Sequence, residues 1–97
     1  MPHQWSREDD IVAYYLYRFG VEYSIPSMSD FKAISKILGM SEASLKMRIG
    51  NFQALAGAGG LEHYAKLSKE VYDEYKISSK DNLLRRAKEI MAKKTRT

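Results

Sequence analysis

Residues 41–55 read SEASLKMRIGNFQAL, and the way this stretch folds decides the architecture of the chain. Ser41 is a natural N-cap: its hydroxyl accepts a hydrogen bond from the backbone N–H of Ser44, and Glu42 suits the positive end of a helix dipole. Leu45, Ile49 and Phe52 recur at i, i+4 and i+7, so a helix over 42–55 carries them as a core stripe. The opposite side is lean, with Ala43, Met47, Gly50, Asn51 and Ala54 rimmed by Lys46 and Gln53. Small residues bearing amide and basic groups let a helix approach base edges in a major groove, where Asn or Gln pairs with adenine and Lys or Arg with guanine. Ala and Gly equally permit close contact with another helix, and this stretch alone weighs the two readings evenly.

Working outward, 97 residues suffice for one core and are too few for two. There is no cysteine, which excludes disulfides, thiolate zinc sites and cysteine nucleophiles and fits a reducing compartment. Charges interrupt every apolar run well short of the roughly 18 residues of a membrane span, and no signal-peptide core is visible. A cytoplasmic, soluble chain is expected. The net charge of +4 is localised: residues 79–97 hold seven basic and two acidic side chains, whereas residues 1–78 hold nine and ten. Phosphate contact would therefore fall mainly to Lys80, Arg85, Arg86, Lys88, Lys93, Lys94 and Arg96, with Lys46 and Arg48 adding to it. A solvated basic helix end is the competing reading.

Upstream, Trp5-Ser6-Arg7-Glu8-Asp9-Asp10 supplies an aromatic residue, an N-cap serine and three acids for a first helical turn. That helix is expected over about 7–19, with Val12, Tyr15, Leu16 and Phe19 on one face, Tyr14 and Tyr17 flanking it, and Gly20 ending it. Residues 21–28 contain Pro26 and read as a loop that tucks Val21, Tyr23 and Ile25 inward. Ser29 then caps a helix over about 30–38, ended by Gly39, so that a turn of about three residues leads into the helix at 42–55. A glycine-ended helix, a short turn and a capped helix form the helix-turn-helix arrangement, in which the second helix is presented to DNA.

Downstream, Ala56-Gly57-Ala58-Gly59-Gly60 is a break that matches no phosphate-binding loop. Leu61 to Leu67 is expected to cross the surface, Ser68 to cap a helix over about 69–76, and Ser79 to cap a last helix over about 80–93. In that last helix Leu83, Leu84, Ala87, Ile90 and Met91 form the apolar stripe, and residues 93–97 should fray. The fold class expected is all-α, a small helical domain of about five helices with a helix-turn-helix core and no sheet. Trp5, Leu16, Phe19, Phe31, Ile34, Leu38, Leu45, Ile49 and Phe52 are expected to share its centre. The chain divides into a helix-turn-helix-like domain at 1–78 and a basic C-terminal helix with a frayed tail at 79–97.

Two resemblances attach to these residues. WSREDD at 5–10, followed by two further helices, resembles the W-[ST]-x-E-E-D opening of Myb/SANT-like DNA-binding domains, with Phe31 and Phe52 where those domains carry tryptophans. Over a longer span, residues 5–75 resemble the small helical domain at the N-terminus of many bacterial HNH endonucleases of restriction type. That likeness rests on WSRED at 5–9, LYRFG at 16–20, ILGMSEASLKMRIGNFQAL at 37–55, GGL at 59–61 and AKLSKEVYDEY at 65–75. It implies recognition of, or placement on, DNA rather than cleavage, because the chain carries no paired histidines with an asparagine in a ββα-metal arrangement.

No enzyme, cofactor or metal is therefore expected. Glu8, Asp9 and Asp10 point in different directions from one helix and have a dipole reason to be there. His63 lacks a second ligand nearby in sequence, and Glu70, Asp73 and Glu74 read as a solvated face. The leading expectation is a module for double-stranded DNA: Lys46, Met47, Asn51 and Gln53 facing bases, Arg48 near a backbone, and Lys80, Arg85, Arg86, Lys88, Lys93 and Lys94 on phosphates. The alternative is a protein-interaction module that docks on a nucleic-acid enzyme.

Overall fold

A computed structural model describes residues 4–57 and 65–95. Among these residues there are five α-helices, one 3-10 turn and no strand: α1 (Arg7–Phe19), the 3-10 turn Pro26–Met28, α2 (Phe31–Leu38), α3 (Glu42–Leu55), α4 (Lys66–Tyr75) and α5 (Lys80–Thr95). None of the described helices is long and apolar enough to cross a membrane. Residues 58–64, with the end of the glycine break, the start of the 61–67 crossing and His63, lie outside the described residues, as do His3 and Arg96.

The centre of the molecule is α1. Its start is locked by a capping box in which Ser6 Oγ accepts from the Asp9 N–H (3.1 Å) and the Asp9 carboxylate accepts from the Ser6 N–H (3.2 Å). Every residue from Asp9 to Leu16 is then buried, because α3, α4 and α5 all pack against this one helix. Tyr14 and Tyr15 are interior residues rather than one flanking and one stripe residue. Tyr14 meets Phe52 of α3 edge-on (5.2 Å between ring centroids) and Tyr72 of α4 (5.9 Å), geometry that suits aromatic quadrupoles.

Helical periodicity places α3 and α5 on opposite faces of α1. Glu8 lies beside Lys93 and Arg86, and Phe19 lies beneath the Lys80 ammonium. Eleven residues make about three turns, so Glu8 and Phe19 share the line that meets an antiparallel α5. Asp10, Tyr14 and Tyr17, which contact Arg48 and Phe52 of α3, begin two residues on, about 200° round the helix. The short α2 packs on both α3 and α5. Near the start of α5, the Tyr15 hydroxyl donates to the Glu22 carboxylate, and Lys80 lies 3.2 Å from the same group. These two partners hold the Glu22 carboxyl below the ordinary carboxylate range, while burial pushes the Tyr15 phenol above its usual range.

Several boundaries differ from expectation for physical reasons. Asp30, not Ser29, caps α2: its carboxylate accepts from the Ala33 N–H (2.7 Å), and the Ser29 hydroxyl is spent on the Pro26 carbonyl of the 3-10 turn (3.1 Å). Within 21–28, Val21 and Ile25 pack half-buried against the core as expected, but the fully buried residue is Met28, and Tyr23 is 85% exposed. The fourth helix begins at Lys66 and has no side-chain cap of its own. Ser68 is buried inside it, donating to Asp10 (3.3 Å), and Asn51 of α3 accepts the Ala65 N–H instead (2.8 Å). α5 is capped by Ser79 as expected but continues to Thr95 instead of fraying from Lys93. Its Leu83, Ala87, Ile90 and Met91 are fully buried in the common core, so the basic helix is built into the domain that precedes it. Of the nine expected core residues, Leu16, Ile34, Leu38, Leu45 and Phe52 are buried, and Trp5, Phe19, Phe31 and Ile49 pack half-buried around them.

Candidate nucleic-acid interface

The turn between α2 and α3 is fixed by backbone bonding. Gly39 adopts a left-handed conformation (φ 83°, ψ 28°), its N–H bonds to the Lys36 carbonyl (3.3 Å), and the Met40 N–H reaches back to the Ser35 carbonyl (2.9 Å). These are the bonds of a Schellman stop. Ser41 then caps α3, accepting from the Ser44 N–H (3.1 Å). With both ends set locally, α3 leaves α2 after a three-residue turn with its first half turned outward. Ser41, Glu42, Ala43, Lys46 and Met47 are exposed, and Met47 is 75% exposed.

The second half of α3 is covered more than its composition suggests. Ala54, on the lean face, is buried, Gly50 and Asn51 are half-buried, and only Gln53 is exposed. Packing of α4 on α3 accounts for this, so small residues here serve helix contact, the second of the two readings weighed for this face. Gly50 is the exception: a Cβ added to it would meet nothing within 4 Å. It lies between Lys46 and Gln53 along the outer stripe, where it keeps the backbone approachable.

Arg48 and Asn51 have intramolecular partners. Asp10 is fully buried, and Arg48 holds it bidentately, Nε at 2.6 Å from Oδ1 and Nη2 at 2.8 Å from Oδ2. Ser68 approaches both Asp10 oxygens, and the Arg48 guanidinium stacks 4.5 Å from the Trp5 ring centre. Instead of lying near a phosphate backbone, Arg48 joins the N-terminal segment, α1, α3 and α4. Only 12% of its side chain is exposed. Asn51 donates to the Met47 carbonyl (3.2 Å) while its oxygen holds the start of α4. Lys46 stays at the surface, 3.4 Å from Glu42 and above the Phe31 ring of α2.

The cations of α5 form a second group. Lys93 lies 3.3 Å from Glu8, Lys94 3.2 Å from Asp9, Arg86 3.8 Å from Glu8 and Lys80 3.2 Å from Glu22. The acids of the first turn of α1 thus neutralise much of this helix, beyond their service to the helix dipole. Arg85 bonds the Asn82 side chain (3.1 Å), and Lys88 has no ion pair among the described residues. The structure does not bring this group beside Lys46, Met47 and Gln53, because α1 lies between α5 and α3. It does bring up two residues the sequence reading missed. Lys32 and Lys36, one turn apart on α2, are exposed and without an ion pair among the described residues. Their signal was the polar side of a strongly amphipathic helix next to the turn. No group of three or more metal-ligating side chains occurs among the described residues. No family model, curated protein or solved structure matches the chain.

Proposed function

We propose that the chain is a double-stranded-DNA-binding module that docks through α2 and the outward half of α3. The observation that carries this reading is the exposed stripe Lys46, Met47 and Gln53, interrupted by the open Gly50, lying beside α2 with the exposed Lys32 and Lys36. In a helix-turn-helix docking the second helix offers its N-terminal residues to base edges while the first crosses the backbone. Lys46 can reach guanine acceptors, Gln53 can pair with adenine, and Met47 offers an apolar contact to a thymine methyl. Lys32 and Lys36 supply phosphate contact. Arg48 and Asn51 position α3, while Lys80, Arg85, Arg86 and Lys88 on the far side contribute only to the long-range field. The two resemblances drawn from the sequence point the same way.

Replacing both Lys32 and Lys36 by alanine is expected to weaken binding to all duplexes alike and to lower the salt slope by about two, one per phosphate contact. Replacing Arg85 and Lys88 together should leave that slope nearly unchanged. Gly50→Ala gives a second check: a helix-interior glycine with open space gains about 0.5–1 kcal/mol of stability on gaining a methyl group. DNA affinity should nonetheless fall, because the methyl stands on the docking stripe. A thermal melt and a duplex titration on the same variant read both.

The exposure of Met47, at the edge of a depression of about 170 Å³ lined by Trp5, Ser44, Arg48 and Asn51, favours a protein partner as the second reading. Duplex retention by the intact protein that is absent even at about 50 mM salt, where phosphate contacts are strongest, would replace the first reading with this one.

A further inference from the structure

We propose that a second copy of this chain docks antiparallel on the outer face of α5, forming a two-fold dimer centred beside Leu84. The core side of α5 is occupied by Leu83, Ala87, Ile90 and Met91. Its outer stripe, Asp81, Arg85, Lys88 and Ala92, is exposed, with Leu84 half-buried at its edge. A depression of about 470 Å³ runs along this stripe, lined among the described residues by Asp81, Leu84, Arg85, Lys88, Glu89 and Ala92. Asp81 and Lys88, opposite in sign and two turns apart, make no ion pair among the described residues.

Charge complementarity selects a second copy as the occupant. In an antiparallel pair centred between Leu84 and Arg85, Asp81 falls opposite Lys88 of the second copy. Two-fold symmetry repeats this pairing, as an isologous interface requires. The two Leu84 side chains meet at the axis, and the aliphatic stem of Arg85 covers the Leu84 of the other copy. A slide of one turn that sets Arg85 opposite Lys88 places like charges together, so the charges fix one register. Lys80 is turned to the end of α1, 3.2 Å from Glu22, and takes no part, so Asp81 and Lys88 carry the discrimination. Because α5 lies across α1 from α3, the pairing leaves Lys46 and Met47 uncovered, and it does not depend on the DNA-binding reading.

Sedimentation velocity of the full chain at concentrations up to the order of 100 µM, a range suited to a small interface, tests the proposal without DNA. The wild type is expected to dimerise with concentration. Asp81→Lys alone and Lys88→Asp alone should each weaken association about tenfold or more, since one reversal turns two symmetry-related attractions into repulsions. Mixing the two single variants should restore a heterodimer: the introduced lysine of one copy then meets the introduced aspartate of the other, and the native pair forms on the opposite side of the axis. Circular dichroism of each variant verifies that α5 remains folded. A wild type monomeric throughout, a dimer indifferent to both reversals, or singles that fail to associate when mixed would each overturn the proposal. So would a monomer whose duplex retention is lost on Lys88→Asp, which would make this face a phosphate site.

Discussion

Arg48→Met is expected to destabilise the domain by about 3–5 kcal/mol, because it strands a buried carboxylate. Asp10 is fully buried, and its oxygens face the Arg48 guanidinium at 2.6 and 2.8 Å, with the more distant Ser68 hydroxyl as the other side-chain partner among the described residues. In a domain whose whole stability is of the order of 5–15 kcal/mol, that loss is large enough to populate the unfolded chain. The Trp5 ring would also lose the cation stacked on it, adding a smaller cost. Replacing the cluster together, with Asp10→Leu, Arg48→Met and Ser68→Ala, should recover most of the stability, since apolar groups of similar volume satisfy one another where a lone charge does not. Chemical denaturation of the single and triple variants measures both effects. An Arg48→Met protein with an unchanged midpoint and a salt slope for DNA reduced by about one would show that this arginine serves phosphate instead.

Truncation after Ser79 is expected to unfold the protein. Removing α5 takes away Leu83, Ile90 and Met91, each fully buried and each worth about 1.5–3 kcal/mol, and it exposes the apolar face of α1 that they cover. The sum, roughly 5–9 kcal/mol, is comparable with the total stability of so small a domain. The truncated chain should show little helical signal and no cooperative melt. A folded, cooperatively melting product would mean that α5 is an appendage, as its charge alone suggests, and that the core closes without it.

The parts of this fold legible in the sequence are those fixed by neighbours a few residues apart. Ser6, Ser41, Ser79 and Gly39 stand at the ends of their helices because caps and left-handed stops act within one turn, and Gly20 ends α1 in a different positive-φ conformation (φ 76°, ψ −168°). Long-range pairing was not legible. The partner of Asp10 lies 38 residues away and that of Ser68 lies 58 away, so Arg48 read as a surface cation and Ser68 as a cap. The central position of α1 did leave a trace: Ile11 to Leu16 is an unbroken apolar run, and a helix apolar all round is an interior helix. Reading it as one stripe with flanking tyrosines missed the third neighbour. At the candidate interface, the exposed edge of α3 followed from its period. Sorting its polar residues into outward and internal partners required the positions of α1 and α4, and the basic count of the last helix could not show that the acids of α1 face it.

The proposed docking of DNA on α2 and α3 is tested most directly by amide chemical-shift mapping of the intact protein, titrated with a random duplex at low salt. Perturbations are expected to centre on Lys32, Lys36, Lys46, Met47, Gly50 and Gln53 and to fade as salt rises, with Arg85 and Lys88 nearly still. Perturbations confined to α5, or none at any salt, would contradict this mode of binding.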